Sequence, residues 1–287
     1  MKKTTIDYAE YSFNPITGCQ HGCSYCYARR IATRFGADTY YFDTTYPDRP
    51  HLHYIRFNVE EEFVDLTFED QHGRPMILGS RENRSLYPFN FEPTFHEYRL
   101  PEPSWVKKPS RVFVCSMADL FGDWVPDDWI YSVLATCEMN PQHQYLFLTK
   151  NAGRYETVFR EKTAHLNWWL GTTCDTLDHT FSMTVDDPTG AAMMLAHSRG
   201  WHTWASAEPL LEDIASRFDM ADQMIDWLVI GAMTGPGAKN RQPQADWVYD
   251  LSSRALEHGI PLFQKKNLAH FWPDGKTIQE YPRTMTA

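Results

Sequence analysis

Several things are scarce in these 287 residues. No apolar run approaches the roughly 20 residues that a membrane-spanning helix needs. The opening residues, MKKTTIDYAEYSF, hold two lysines with no apolar stretch behind them, so no secretory signal is expected and the protein is expected in the cytoplasm. No internal repeat or low-complexity tract is present. Positive charge is short as well: 27 Lys and Arg against 37 Asp and Glu leave a net charge of −10, which excludes a chain coated in basic charge. Local basic clusters remain, at Arg29, Arg30 and Arg34, at Arg99, Lys107, Lys108 and Arg111, and at Lys239, Arg241, Lys265 and Lys266. Solvated surface is the plain reading of each. Cysteine is scarce too, at six residues, yet three of them, Cys19, Cys23 and Cys26, fall within eight positions.

What is abundant is aromatic: ten Trp, fifteen Tyr and seventeen Phe. A chain of this length and composition folds around a substantial core. From residue 111 onward, short apolar runs recur: RVFVCS, YLFLT, WWLGTT, HTWASA, DWLVIGA and IPLFQK. Their near-continuous hydrophobicity predicts strands buried on both faces, as in a parallel sheet. Helical patterns lie between them. In VPDDWIYSVLATCEM, Pro126 and two acids open a helix whose apolar face is Trp129, Ile130, Val133, Leu134 and Cys137. GAAMMLAHSRG predicts a helix ending at Gly200, and QADWVYDLSSRALEHG one striped by Trp247, Leu251 and Leu256 and ending at Gly259. An N-terminal unit has the same form: YAEYSFNP as strand, the cysteine loop, then a helix closed by Gly36. About seven strand–helix units predict an α/β fold, a partial or complete (β/α) barrel, as one domain over 1–287. Residues 37–100 break the alternation and read as an insertion or lid. They hold an acidic patch (Glu60, Glu61, Glu62) and a β-hairpin turning near His72-Gly73.

The cysteine spacing, Cys-x3-Cys-x2-Cys in GCQHGCSYCYARR, lacks the fourth ligand of a structural zinc site. A distant histidine, such as those of HLH at 51–53, keeps zinc open as an alternative. Cys115, Cys137 and Cys174 are isolated, and Cys115 and Cys137 read as small buried hydrophobes. An iron–sulfur cube fits three thiols differently, since three thiolates hold three irons and leave one iron open.

At CQHGCSYCY the sequence resembles the radical S-adenosylmethionine superfamily, in which that open iron chelates the methionyl group and one electron yields a 5′-deoxyadenosyl radical. Tyr25 stands where the superfamily places a ring near the adenine. The likeness extends to FNPITGCQHGCSYCYARR, RVFVCSMADLFGDWVPDDWI, HQYLFLTKNAGRYE, WLGTTCDT, SAEPLLEDI and IDWLVIGAMTGPGAKNRQPQADWV, in that order. Together these resemble the phage-associated three-cysteine-motif family (DUF5131), radical-SAM-like proteins distantly similar to spore photoproduct lyase. The resemblance covers about 11 to 267 and is weaker over 37–88. It implies a 4Fe-4S cluster on Cys19, Cys23 and Cys26, S-adenosylmethionine, an electron donor such as flavodoxin or ferredoxin, and the cytosol of a bacterial host. It supplies no substrate; DNA or RNA is expected from the mobile-element setting, with a small molecule or a protein left open. A non-catalytic iron–sulfur or zinc module that binds nucleic acid or a partner is the alternative.

Functional side chains of barrels stand at the C-terminal ends of strands. On that basis Ser116 and Asp119 are candidates for the methionyl amine, with a helix-cap role competing at Asp119. Thr172, Thr173 and Asp175 suit ribose hydroxyls or the carboxylate. Ser206 and Glu208 sit similarly, Lys150 suits a carboxylate or phosphate, and the backbone at Gly231 suits close approach to adenine or phosphate. Where relatives usually read Gly-Gly-Glu-Ser-Gly, this chain has Gly231, Ala232, Met233, Thr234 and Gly235, so one family carboxylate is missing.

Overall fold

The computed structural model describes residues 1–35, 86–87, 90–180, 187–219 and 221–285, with the backbone of four strands at 41–42, 52–55, 65–69 and 75–77. The chain opens with β1 (Lys2–Lys3), β2 (Tyr11–Phe13), β3 (Ile16–Thr17) and helix α1 (Tyr27–Phe35). The four backbone-only strands follow as β4 (Tyr41–Phe42), β5 (Leu52–Ile55), β6 (Asp65–Glu69) and β7 (Pro75–Ile77), then β8 (Thr94–His96). Alternation begins at β9 (Arg111–Val114) and continues through α2 (Asp127–Glu138), β10 (Gln144–Thr149), α3 (Arg154–Val158), β11 (Trp168–Thr173), α4 (Pro188–Ser198) and β12 (His202–Ala207). It closes with β13 (Leu228–Ile230), α5 (Ala245–Glu257) and β14 (Leu262–Gln264).

Eight strands make one sheet in the order β1-β2-β9-β10-β11-β12-β13-β14, and β9 to β14 pair in parallel with their chain neighbours. The six apolar runs therefore become the six parallel strands. Among the described residues this sheet ends at β1 and β14, a mixed α/β arrangement with a mostly parallel sheet. Every residue of β11 is buried, which explains its unbroken apolar reading. Its one glycine has a packing cause: a Cβ on Gly171 would lie 2.3 Å from Nε1 of Trp204. That indole instead reaches the carbonyls of Phe147 (3.0 Å) and Trp169 (3.2 Å).

Helix α2 buries the five residues of its expected stripe. Helix α5 corrects the reading of its sequence. It buries Val248, Leu251, Ser252 and Ala255, while Leu256 is 53% exposed and Trp247 half-buried. The period from Val248 lands on 251/252 and 255, one position off the Trp247 stripe. Its end is as expected, with Gly259 in the left-handed region (φ +65°).

A second sheet runs β3-β8-β7-β6-β5-β4. In it β6 and β7 pair antiparallel, Thr67 opposite Ile77, as the hairpin reading required. The turn at His72-Gly73, Gly36, the acidic patch at 60–62 and the side chains of HLH lie outside the described residues.

The chain divides into two compact units. One comprises residues 1–2, 12–107 and 114–140; the other, 3–11, 108–113 and 141–287. The second unit is built on an aromatic layer: Tyr8, Phe113, Leu146, Trp169, Trp204, Trp227, Val229 and Phe263, all buried. Tyr8 meets Trp204, Trp227 and Phe263 edge-on at 5.6 to 5.8 Å between ring centres, a favoured aromatic geometry. Among the described residues no helix is long and apolar enough to cross a membrane.

Candidate functional site

In the first unit the three thiols occupy the loop between β3 and α1. Gly18 starts it at φ +88°, and a Cβ there would sit 2.1 Å from the Glu92 carbonyl oxygen, so only glycine passes. The Gly18 N–H donates to Met117 O (3.0 Å) and the Cys19 N–H to Phe91 O (3.1 Å). The Cys26 N–H donates to Cys23 O at 3.1 Å, and Cys26 precedes the first residue of α1. Its sulfur accepts the Arg29 backbone N–H at 3.3 Å, as a capping side chain does. The positive end of α1 thus points at a sulfur.

All six cysteines are described and none forms a disulfide; Cys19, Cys23 and Cys26 are half-buried. Burial, helped by Asp119 and the other two thiols and opposed by the His21 backbone N–H, pushes the Cys19 thiol up to about 12. Cys19 therefore keeps its proton at neutral pH until a cation replaces it. The isolated Cys115 and Cys137 are buried hydrophobes as expected, and burial holds both thiols protonated. Among the described residues no set of three or more His, Cys, Asp or Glu is grouped to hold a metal ion. The donor set itself, three half-buried thiols on one loop with a helix terminus behind the last, is chemistry that fits an iron–sulfur group.

Asp119 lies against this loop. One carboxylate oxygen meets His21 Nε2 at 2.7 Å and the other accepts the Phe121 N–H at 3.0 Å. His21 packs edge-on against Trp124, 4.7 Å between ring centres. Asp119 is therefore both a local turn-capping group and the partner of a loop histidine. Ser116 donates to the Asn14 side chain (3.1 Å), and its carbonyl accepts the Tyr27 hydroxyl (2.7 Å). Between β9 and these residues the chain turns at Cys115, a non-glycine at φ +57°, a costly conformation that structures keep where a side chain must be aimed. Tyr25 is half-buried between Cys23 and Cys26.

In the second unit, strand alternation does the positioning. Residues two or four beyond a core member on the same strand share its face. Thr173 follows Trp169 and Ser206 follows Trp204 in this way, and they are register partners across β11 and β12. Gly231 and Lys265 stand two beyond Val229 and Phe263. Thr172 alternates to the opposite face, buried at 1% exposure, so the two threonines expected together are separated. Ser206 is likewise 1% exposed, and its hydroxyl has no hydrogen-bond partner.

The charged groups here are matched. Lys150 Nζ contacts Asp175 at 2.8 Å with side-chain exposures of 10% and 3%. The other Asp175 oxygen meets Nδ1 of the exposed His179 at 3.2 Å. Glu208 pairs with Lys265. Gly231 leaves room for that pair, because a Cβ would meet Lys265 Cδ at 2.8 Å and Glu208 Cγ at 3.1 Å. Beyond it, Asn267 brackets Ala232, accepting its N–H (3.1 Å) and donating to its carbonyl (2.8 Å).

Sequence reading did not single out Asn267 or His179, and it set His21 aside as a ligand because it sits between closely spaced cysteines. Lys265 and Arg29 were assigned to solvated clusters, but Lys265 is 15% exposed and paired, and Arg29 is half-buried. The signal for Lys265 was its position two past Phe263 on a strand whose face is core.

These features define a mixed α/β protein with a largely parallel sheet, polar groups at strand ends and three thiols on its first helix-bound loop. A family model matches residues 3–280, and the chain belongs to that family, described as "Protein of unknown function (DUF5131)". No curated protein matches the sequence significantly. Among solved structures, a single-substitution variant of spore photoproduct lyase is similar with a TM-score of 0.53 at 10% identity, over 92% of this chain and 78% of that one. Spore photoproduct lyase complexed with dinucleoside spore photoproduct gives a TM-score of 0.52 at 10% identity, over 95% and 77%. Likeness at this identity is a likeness of fold.

Proposed function

We propose that this protein is a radical S-adenosylmethionine enzyme acting on nucleic acid in the cytoplasm. The observation that carries the reading is the loop of three half-buried thiols at the start of α1, in a chain that shares its fold with spore photoproduct lyase. In this reading Cys19, Cys23 and Cys26 hold a 4Fe-4S cluster. Such a cluster, together with S-adenosylmethionine and one electron from a flavodoxin or ferredoxin, would supply 5′-deoxyadenosyl radical chemistry.

The chain's own residues bind, orient and exclude water. In the first unit Tyr25 supplies a ring for the adenine, and Ser116 and Asp119 supply polar groups for the methionyl end. Asp119, fixed by His21 and the Phe121 N–H, presents a carboxylate with little freedom. In the second unit Lys150, Thr172, Thr173, Asp175, Ser206, Glu208 and Gly231 are the proposed polar contacts. Of these, the Ser206 hydroxyl has a hydrogen still to donate. Thr172 is the weakest member, on its opposite face. Residues 37–100 are proposed as a lid or recognition element of a single barrel domain. The nucleic-acid substrate class rests on the similar lyase structure, which holds a dinucleoside spore photoproduct. With a net charge of −10, binding would fall to local basic groups and weaken steeply as salt rises.

The test is anaerobic reconstitution with iron and sulfide, followed by S-adenosylmethionine and dithionite. Iron and labile sulfide are assayed and 5′-deoxyadenosine is quantified by mass spectrometry. The expected result is a bound cluster and 5′-deoxyadenosine above the no-protein control. A cluster that never cleaves S-adenosylmethionine favours the non-catalytic module; stoichiometric zinc without iron rejects the cluster.

A further inference from the structure

Arg29 touches both ends of the thiol loop. Its backbone N–H donates to Cys26 Sγ at 3.3 Å, and its Nη2 donates to the Cys19 carbonyl at 3.0 Å. The guanidinium lies over the Phe91 ring, 4.9 Å from its centre. Its Nε is buried without a hydrogen-bond partner.

Arg99 and Arg111, also partly buried, are charge-matched, by Glu102 at 3.6 Å and by Glu10. Among the described residues Arg29 enters no ion pair. An unmatched cation with a desolvated N–H is expensive to keep, unless a negative partner arrives. The nearest source of negative charge is the loop itself. Each thiol loses its proton on binding metal, and three thiolates outweigh the dicationic iron–sulfur core, so a loaded loop is net negative and becomes more so on one-electron reduction.

Positive charge and N–H donors close to thiolate sulfurs raise the reduction potential of an iron–sulfur group. We infer that Arg29 is the built-in counter-charge of the cysteine loop, a positioning residue that stabilises the one-electron-reduced state of the iron–sulfur group held there. This rests on the cluster reading above. The reduction adds one electron and breaks no bond. The electron comes from a reduced flavoprotein or ferredoxin, or from dithionite in the assay.

The experiment compares wild type with Arg29→Gln and Arg29→Lys after anaerobic reconstitution. Iron and labile sulfide are measured, then a redox titration with dithionite is followed by electron paramagnetic resonance. For Arg29→Gln the reduced-to-oxidised ratio at fixed potential is expected to fall about tenfold, a midpoint about 59 mV more negative for one electron. Arg29→Lys keeps the charge and is expected within about threefold of wild type. If the Gln protein does not fold, Arg29→Met, which keeps a stem over Phe91, takes its place. A neutral variant with wild-type iron content and an unshifted midpoint overturns the assignment and leaves the cluster standing. Wild type that binds no iron overturns both.

Discussion

Around Cys19, Cys23 and Cys26 the first unit leaves charge unmatched, whereas the strand ends of the second unit cancel theirs pair by pair. The loop is placed by backbone hydrogen bonds that Gly18 and Cys19 donate to the Met117 and Phe91 carbonyls, and by the cap of α1. The strand-end groups are placed by register and alternation over an aromatic layer. The half-buried Arg29 beside the three thiols enters no ion pair among the described residues. Lys150 with Asp175 and Glu208 with Lys265 are already satisfied, so a ligand there must compete with an existing partner. On the proposed reading the loop would hold the resident cofactor, and the strand ends would make exchangeable polar contacts.

The sharpest way to break this contrast is to remove one group from each side. Cys23→Ala is expected to abolish iron binding and S-adenosylmethionine cleavage together. Ser206→Ala is expected to leave iron content at wild-type level. Retained iron in the Cys23 variant would remove that thiol from the ligand set.

Next in size is Glu208→Gln, which strips Lys265 of its counter-charge at half-buried depth. The expected loss is about 1–3 kcal/mol of unfolding free energy, read by urea denaturation. Glu208→Gln combined with Lys265→Met should recover part of that loss, because no charge is then left unpaired. Additive losses would mean that the pair contributes nothing as a pair. Gly231→Ala probes the same place sterically. A Cβ 2.8 Å from Lys265 Cδ forces the lysine stem aside, at about 1–2 kcal/mol. A flexible stem keeps this cost below that of a backbone clash, such as the one a Cβ at Gly18 would make.

The two regions were also unequally legible. Continuous apolar runs predicted all six parallel strands, because burial on both faces leaves no polar alternation to confuse them. Trp129 to Cys137 marked the buried face of α2, since its five apolar residues share one stripe. In α5 the pattern misled: Trp247 and Leu256 are apolar but flank the buried line through Val248, Leu251 and Ala255, and composition cannot rank neighbouring stripes. The thiols were visible from spacing alone. Arg29 was not, because a cation three residues past a cysteine reads the same whether it faces solvent or folds back onto a carbonyl. Likewise the pairing of Asp175 with Lys150 joins residues 25 apart, and only strand register brings them together. Thr172 and Thr173 were taken as one group, although adjacent strand residues face opposite ways.

The smallest expected effect tests whether charge matching in the second unit extends to the N-terminal ends of its strands. Asp226, just before β13, meets His197 Nε2 at 3.1 Å and accepts the Thr203 N–H at 2.9 Å, with His202 Nδ1 at 3.9 Å. Burial alone would raise its pKa, but the His202 and Thr203 hydrogen bonds and the nearby His197 outweigh it, and the carboxyl lies below its ordinary 3.8. A depressed folded-state pKa means that the folded state binds the proton less readily than the unfolded chain. The stabilisation is therefore complete above the unfolded value and disappears as pH falls through the lower folded one. Wild type should exceed Asp226→Asn in stability by a constant margin from neutral pH down to about pH 5, one unit above the ordinary value. The margin should then close in the acid range below it. Parallel pH–stability curves for the two proteins, down to the acid unfolding limit, would show that this carboxylate is not part of the charge-matched framework.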